Sequence, residues 1–298
     1  MYLPHISVCI CTYKRERLLR LLMDNLREQE TGGNFTYSVV VADNDRAESA
    51  RKVVADFSKG SSVPVTYCVE PQQNIALTRN RALEHVTGEY VAFIDDDEFP
   101  GKDWLLTLFN ALHKYKADGA LGPVKPHYET PPPDWVLRGK FHERPCYPTG
   151  FQIDWHKGRT GNVLLKRSIF PPGPAFEPKF LTGEDQDFFR RMIANGHVFV
   201  WCNDAVAYEV VPPIRWNRRF MLQRALLRGK VSVRHPTFSS VDVCKSLMAA
   251  PAYLLSLPLL FCLGHHLFMK YLISFCDHSG RILALVGIDP VREKYITE

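Results

Sequence analysis

The sequence predicts an α/β protein: a mainly parallel sheet flanked by helices, followed by a separate helical C-terminal region. Three observations carry that reading. Short apolar, β-branched runs alternate with helical patterns over residues 6–124. Polar residues stand at the ends of those runs, at Thr12, Asp43 and Asp95–Asp97. After residue 212 the pattern changes to a stretch with only basic charge and then to one with none. Strand, helix, strand at this spacing makes crossover units and parallel pairing.

The elements follow in order. Residues 6–11 (ISVCIC) read as a buried strand, ending at Thr12-Tyr13-Lys14-Arg15. Leu18, Leu19, Leu22, Met23 and Leu26 then fall on one face of a helix. Residues 37–42 (YSVVVA) form a second strand, ending at Asp43-Asn44-Asp45, and a polar helix covers 47–58. Residues 63–69 read as a third strand and 74–85 as a helix. Tyr90 to Ile94 is a fourth strand, ending in Asp95-Asp96-Asp97-Glu98. Residues 103–116 read as a helix and 119–124 as a fifth strand. The proline-rich segment 123–150, with Pro131-Pro132-Pro133, reads as long, stiff and irregular, and loops of that length are usually functional. Residues 161–165 read as a strand, Gly183 opens a helix running to about Asn195, and 198–201 and 205–211 read as short strands.

Composition removes several classes. With 46% hydrophobic and 23% charged residues in 298, the chain is not disordered. Its 18 glycines and 21 prolines are aperiodic, which excludes collagen and low complexity. The length holds one large domain or two small ones, with core enough to fold without staples. A net charge of +5 is too mild to argue for nucleic acid. The eight cysteines make no C-x-x-C pair and read as small buried hydrophobes in a reducing compartment. No G-x-G-x-x-G follows the first strand and no G-x-x-x-x-G-K-[ST] occurs, which counts against a dinucleotide oxidoreductase and a P-loop NTPase. His5, His127 and His156 carry no pattern that points to a role. The N-terminus lacks the features of a signal peptide, so the catalytic part is expected to face the cytosol.

In a parallel sheet, ligands bind outside the carboxyl ends of the strands, so one cleft could collect Thr12, Asp43 and Asp95–Asp97. Crowded carboxylates raise one another's pKa unless a cation offsets them. On an extended strand Asp95 and Asp97 share one side, an oxygen pair that suits Mg²⁺ or Mn²⁺. A solvated acidic turn leading into the helix near Asp103 would explain the same residues.

Six ordered motifs decide between these: SVCICTYKR, VVVADND, NIALTRNRAL, YVAFIDDDEFP, TGNVLLKRS and LTGEDQDFF. Over residues 5–211 the chain resembles the family 2 glycosyltransferases of the GT-A, Rossmann-like fold, and within them bacterial exopolysaccharide transferases of the succinoglycan-biosynthesis type. The resemblance implies a GT-A catalytic domain at 1–212, with a nucleotide-binding half at about 1–122 and an acceptor half at about 123–212. It implies that Thr12 and Asp43 contact the base and ribose, that Arg79 holds the base or diphosphate, and that Asp95 approaches the ribose. Tyr13, Arg15 and Asp96 join the nucleotide-sugar-binding set. Asp97, with Asp95, would bind Mg²⁺ or Mn²⁺, and Asp185 would be the catalytic base, oriented by Glu184. The implied reaction is inverting transfer of one sugar from a nucleotide-sugar, UDP-sugar by default. From the residues alone, Thr12 could cap the next helix, Asp43 could be a turn residue, and Glu184 and Asp185 could be helix-end caps. Asp187 reads as structural. Two departures stand out: Ile75-Ala76-Leu77 replaces a usually glycine-containing stretch, and the Q-x-x-R-W signature of processive synthases is absent.

Residues 213–298 form the other region. Arg215, Arg218, Arg219, Arg224, Arg228, Lys230 and Arg234 occur with no acid between Val210 and Val241. Arg224 and Arg228 share a helix face, and such a basic amphipathic helix suits an anionic membrane surface or a diphosphate; a solvated helix paired with acids elsewhere would look the same. Residues 247–269 contain no Lys, Arg, Asp or Glu. That run is long enough to span a bilayer, which takes about 20 apolar residues, although Pro251, Pro258 and Gly264-His265-His266 interrupt it. The adopted reading is membrane attachment, at the cytoplasmic face of the cell membrane. A buried helical pair, helices lying in the interface and a short spanning or re-entrant hairpin all remain open. Membrane attachment and the resemblance together imply a lipid-linked, polyprenyl-diphosphate oligosaccharide acceptor. A sugar-nucleotide pyrophosphorylase lacks its glycine-rich loop here, and intact Asp97 and Asp185 argue against a non-catalytic carbohydrate-binding protein.

Overall fold

The computed structural model describes residues 2–180, 182–235, 237–289 and 291. Leu181, which opens the LTGEDQDFF motif, and 292–298 of the C-terminal region lie outside them. The chain divides into two compact units. Among the described residues the first holds those up to 126 and from 144 to 210; the second holds 127–143 and those after 210. The chain passes from the first unit to the second after Val210, and residues 127–143 group with the second unit.

In the first unit β1 (His5–Thr12), β2 (Thr36–Asp43), β3 (Val65–Val69) and β4 (Tyr90–Phe93) pair in parallel, with Thr12 opposite Asp43 and Cys9 opposite Phe93. This common direction brings Thr12, Asp43 and the acidic turn after β4 to one edge. Two short strands, β5 (Glu98–Pro100) and β7 (Val124–His127), were not expected; β6 (Gly119–Leu121) covers only part of the expected 119–124. Strands β8 (Val163–Lys166), β9 (Phe199–Trp201) and β10 (Ala207–Val210) complete the set. The main sheet runs β3-β2-β1-β4-β8-β6-β9, with β8 antiparallel to both neighbours, and β5-β10-β7 form a second sheet.

Alternation along β1 fixes the layering. Ile6, Val8 and Ile10 face one core with the apolar sides of α1 (Glu16–Leu26), α2 (Arg51–Gly60) and α4 (Trp104–Lys114). Cys9 and Val40 face a second core with α3 (Ile75–Leu83) and α6 (Glu184–Ala194). Both faces are therefore buried, which is why these strands read as continuous apolar runs. All five predicted apolar residues of α1 are buried. Asn74 caps α3, its side chain accepting from the Ala76 and Leu77 amides.

The second unit contains α5 (Asp134–Gly139), a helix inside the segment expected to be irregular; it follows Pro131–Pro133, whose fixed φ is tolerated just before a helix start. Helix α7 (Arg218–Ser232) packs on α9 (His265–Leu285) by close backbone approach: a Cβ on Gly229 would stand 2.0 Å from the Asp277 carbonyl, and one on Gly280 2.2 Å from the Leu226 carbonyl. Helix α8 (Ser240–Leu263) continues through Pro251 and Pro258 and stops at Gly264, whose φ is 143°. The prolines therefore do not interrupt it, since each removes a single internal hydrogen bond. Its Ser246 and Ala250 are buried, while Met248, Leu255 and Phe261 are 70%, 81% and 64% exposed. That outward face is not the face of a buried helical pair. It also carries Cys244 and Cys262, which are exposed, as is Cys146; Cys9, Cys68, Cys202 and Cys276 are buried as expected.

Candidate active site

The acidic turn is built by the end of β4. Regular strand geometry stops at Phe93, so the two-residue alternation that would put Asp95 and Asp97 on one side no longer holds. Instead Asp96 and Asp97 share Arg15, whose Nη1 donates to Asp96 Oδ1 at 2.7 Å and to Asp97 Oδ2 at 3.1 Å. Thr12 Oγ1 donates to Asp96 Oδ2 at 2.8 Å. Thr12, Arg15, Asp96 and Asp97 are thus one interlocked cluster, and Thr12 does not cap α1. Burial, only partly offset by Arg15, pushes the Asp96 carboxyl up to about 6. Tyr13 is half-buried beside them, with Lys14 5.2 Å from its ring.

Asp95 turns the other way, towards Arg79, whose Nη2 is 3.9 Å from Oδ1. Arg79 is 7% exposed, lies 5.6 Å from the Phe176 ring, and pairs with Glu184. The Glu184 carboxylate engages Arg79 and makes no hydrogen bond to Asp185 among the described residues. Successive residues on a helix point about 100° apart, so at the start of α6 Glu184 turns inward while Asp185 is half-buried at the cavity wall. Asp185 Oδ1 accepts from the Gln186 amide at 2.8 Å. Desolvation raises the Glu184 carboxyl although Arg79 opposes it, and Glu184 Oε2 has no partner among the described residues.

Asp43 is held in place at the turn after β2. It is fully enclosed and accepts from the Ala50 amide at 2.8 Å, the Asp45 amide at 3.0 Å and the Tyr67 hydroxyl at 2.8 Å. Asp187 is also structural, pairing with Arg190 and Arg191 at 2.7 and 2.8 Å. Arg224 and Arg228 belong to the second unit, where Arg228 Nε donates to Asp277 Oδ1 at 2.7 Å, as a basic helix with acids elsewhere would.

One cavity of about 260 Å³ gathers Arg79, Asp95 and Asp185. It also gathers Arg144, His156 and Arg159, to which the sequence assigned no role, and Thr160 and Gln186, which lie inside the quoted motifs without a role of their own. Arg144 Nη2 donates to Glu209 Oε2 at 2.8 Å. Glu98, read only as the end of an acidic run, is 1% exposed with neither carboxyl oxygen bonded. A Cβ on Gly161 would stand 2.9 Å from both Glu98 Oε1 and Asp95 Oδ2. Among the described residues no three His, Cys, Asp or Glu side chains cage a cation. Magnesium and manganese need no such cage where one or two carboxylates are completed by phosphate oxygens and water, so the orphaned oxygens of Glu98 beside Asp95 fit one.

The sequence profile of glycosyl transferase family 2 matches residues 7–171, more than half of the chain. The protein belongs to that family. It is 32% identical over 233 residues to the succinoglycan biosynthesis protein ExoM of Rhizobium meliloti, covering 77% of this chain and 74% of that protein. It is 32% identical over 180 residues to a glucosyl-dolichyl phosphate glucuronosyltransferase of Haloferax volcanii, covering 55% and 53%. Among solved structures, the mannosyltransferase PcManGT from Pyrobaculum calidifontis, in complex with GDP-Man and Mn²⁺, matches with a TM-score of 0.63 at 19% identity, covering 97% of this chain and 89% of that one. S. aureus TarS in complex with UDP-GlcNAc matches at 0.55 and 14% identity, covering 95% and 92%. These likenesses establish the GT-A fold, and family membership makes the protein a glycosyltransferase.

Proposed function

We propose that this glycosyltransferase moves one sugar from a UDP-sugar to a hydroxyl of a lipid-linked oligosaccharide, with inversion, at the cytoplasmic face of the cell membrane. The observation that carries the reaction is the single cavity joining Asp185 to Asp95 and Arg79. Asp185 is at its wall with Oδ2 free of the local amide bond, where a carboxylate can take the proton of an attacking hydroxyl. One such base serves one in-line displacement, which inverts the anomeric carbon; retention by double displacement would need a second, nucleophilic carboxylate. Asp95, with the unbonded oxygens of Glu98 beside it, would hold a divalent cation, whose chemistry is Lewis-acid neutralisation of the departing diphosphate. Arg79, fixed by Glu184, holds positive charge on the cavity side of Asp95. The exposed apolar face of α8 and the exopolysaccharide relative support a membrane-bound acceptor.

A panel of sugar nucleotides tests this, with transfer to a polyprenyl-diphosphate oligosaccharide measured in Mn²⁺ and in EDTA. A UDP-sugar is expected to react, in Mn²⁺ only or far faster there. Asp185→Asn is expected to keep donor binding and lose transfer by a factor of about 10²–10⁴, the usual contribution of a positioned base. Transfer by Asp185→Asn at the parent rate would remove Asp185 from that role.

A further inference from the structure

The loop Gly158-Arg159-Thr160-Gly161 closes one wall of the cavity, and the reaction described above uses none of its side chains. Close packing fixes both of its glycines. A Cβ on Gly158 would stand 2.3 Å from the Phe189 ring, and one on Gly161 would meet Asp95 and Glu98 at 2.9 Å. The loop is therefore wedged between α6 and the acidic turn, and what it presents to the cavity is held in place.

Both presented side chains are unsatisfied. Arg159 makes no ion pair or hydrogen bond among the described residues, unlike Arg79, which has Glu184, and Arg144, which has Glu209. Thr160 is 1% exposed and its hydroxyl has no partner among the described residues. A buried hydroxyl without a partner, next to an unpaired guanidinium, is a demand for acceptor oxygens. Desolvation and then the charge of Arg144 work against the Arg159 cation, and an anion between the two arginines would relieve both. Planar guanidinium groups favour ligands with several oxygens in a row. On the far side of Gly161 stand the unbonded oxygens of Glu98 and the cavity-facing Asp95, which fit a cation. Cation ligands on one side and a guanidinium with a hydroxyl on the other suit a metal-bridged diphosphate.

We propose that the Gly158–Gly161 loop is a diphosphate cradle, with Arg159 and Thr160 as its donors and the nucleotide-sugar as the source of the diphosphate. The assignment of the source rests on the donor reading above. Part of the leaving group's charge is then met by a fixed arginine, so nucleoside diphosphate binding survives in part when divalent cations are removed.

Titration calorimetry on the full chain tests it, with UDP and geranyl diphosphate as probes, each in Mn²⁺ and in EDTA. Arg159→Gln is expected to weaken UDP about ten-fold or more in both media, and Thr160→Val about three-fold, as for lost charged and neutral hydrogen bonds. Arg159→Lys keeps the charge, loses the fork and is expected to fall between the parent and Arg159→Gln; a melting curve for each variant separates a lost contact from a lost fold. A loss seen with geranyl diphosphate and not with UDP keeps the cradle and gives it to a lipid-borne diphosphate. Unchanged affinity for both probes in both variants, with a parent that binds, overturns the cradle. A parent that binds geranyl diphosphate and no nucleotide overturns the donor reading and leaves the cradle standing.

Discussion

At the scale of single residues, the carboxylates of this protein differ because of what faces them. Asp96 and Asp97 are held by Arg15, Glu184 by Arg79 and Asp43 by its own turn, whereas Asp95 and Asp185 face the cavity. Removing the partner of a buried charge costs about 3–5 kcal/mol, because the remaining charge stays desolvated. Glu184→Gln keeps one acceptor oxygen and removes the charge, so it is expected to lower the melting temperature. It is also expected to weaken UDP binding through a loosened Arg79, while the bound complex still turns over. A Glu184→Gln variant with parental stability and parental UDP affinity would show that the pair with Arg79 holds nothing. The family motifs made Arg79, Asp95 and Asp185 visible in the sequence. Arg144 and Arg159 stood outside the motifs, and Glu98 and Thr160 stood inside them without a role, because what sets each of the four apart is a missing or a distant partner, and partners are a tertiary property.

At the scale of elements, the long, strongly periodic segments were legible, and some short ones were not. Helix α1 shows five apolar residues at helical spacing, and each is buried. Strand β5 has three residues and β7 has four, too short for an alternation to register, and β7 contains Pro126 in an edge strand, where a missing amide is tolerated. Helix α6 carries the proposed base on its first turn, and Asp187 anchors that turn through Arg190 and Arg191. Although burial alone would raise it, those hydrogen bonds hold the Asp187 carboxyl below its ordinary 3.8. A depressed carboxylate contributes stability that is present above the unfolded value and is lost as pH falls through the folded one. Asp187→Asn is therefore expected to cost about 1–3 kcal/mol at pH 7, the range for a lost charged hydrogen bond. The gap in melting temperature from the parent should close as pH drops below 3.8. A gap independent of pH would mean that the ion pairs are not its source.

At the scale of the whole molecule, the mean composition conceals two different units. The mild net charge of +5 averages an α/β unit with a helical unit whose α8 shows solvent a nearly unbroken apolar face. Exposed apolar surface of that extent marks a contact with another phase or partner. Leu255→Asp combined with Leu259→Asp is expected to release the protein from vesicles containing phosphatidylglycerol in a flotation assay, with UDP affinity unchanged. A parent that does not float would end the membrane reading. By itself the sequence determined the parallel sheet, the edge at which Thr12, Asp43 and the acidic turn meet, and the family. These follow from period and order along the chain, and local geometry propagates both. Only the tertiary structure decided that Asp95 faces the cavity while Asp97 is tied to Arg15, that Glu184 serves Arg79, and that a loop from the segment after Arg144 brings an unpaired arginine to the same cavity. Those outcomes depend on which residues meet across the fold, and burial and charge pairing act on that meeting, not on distance along the sequence.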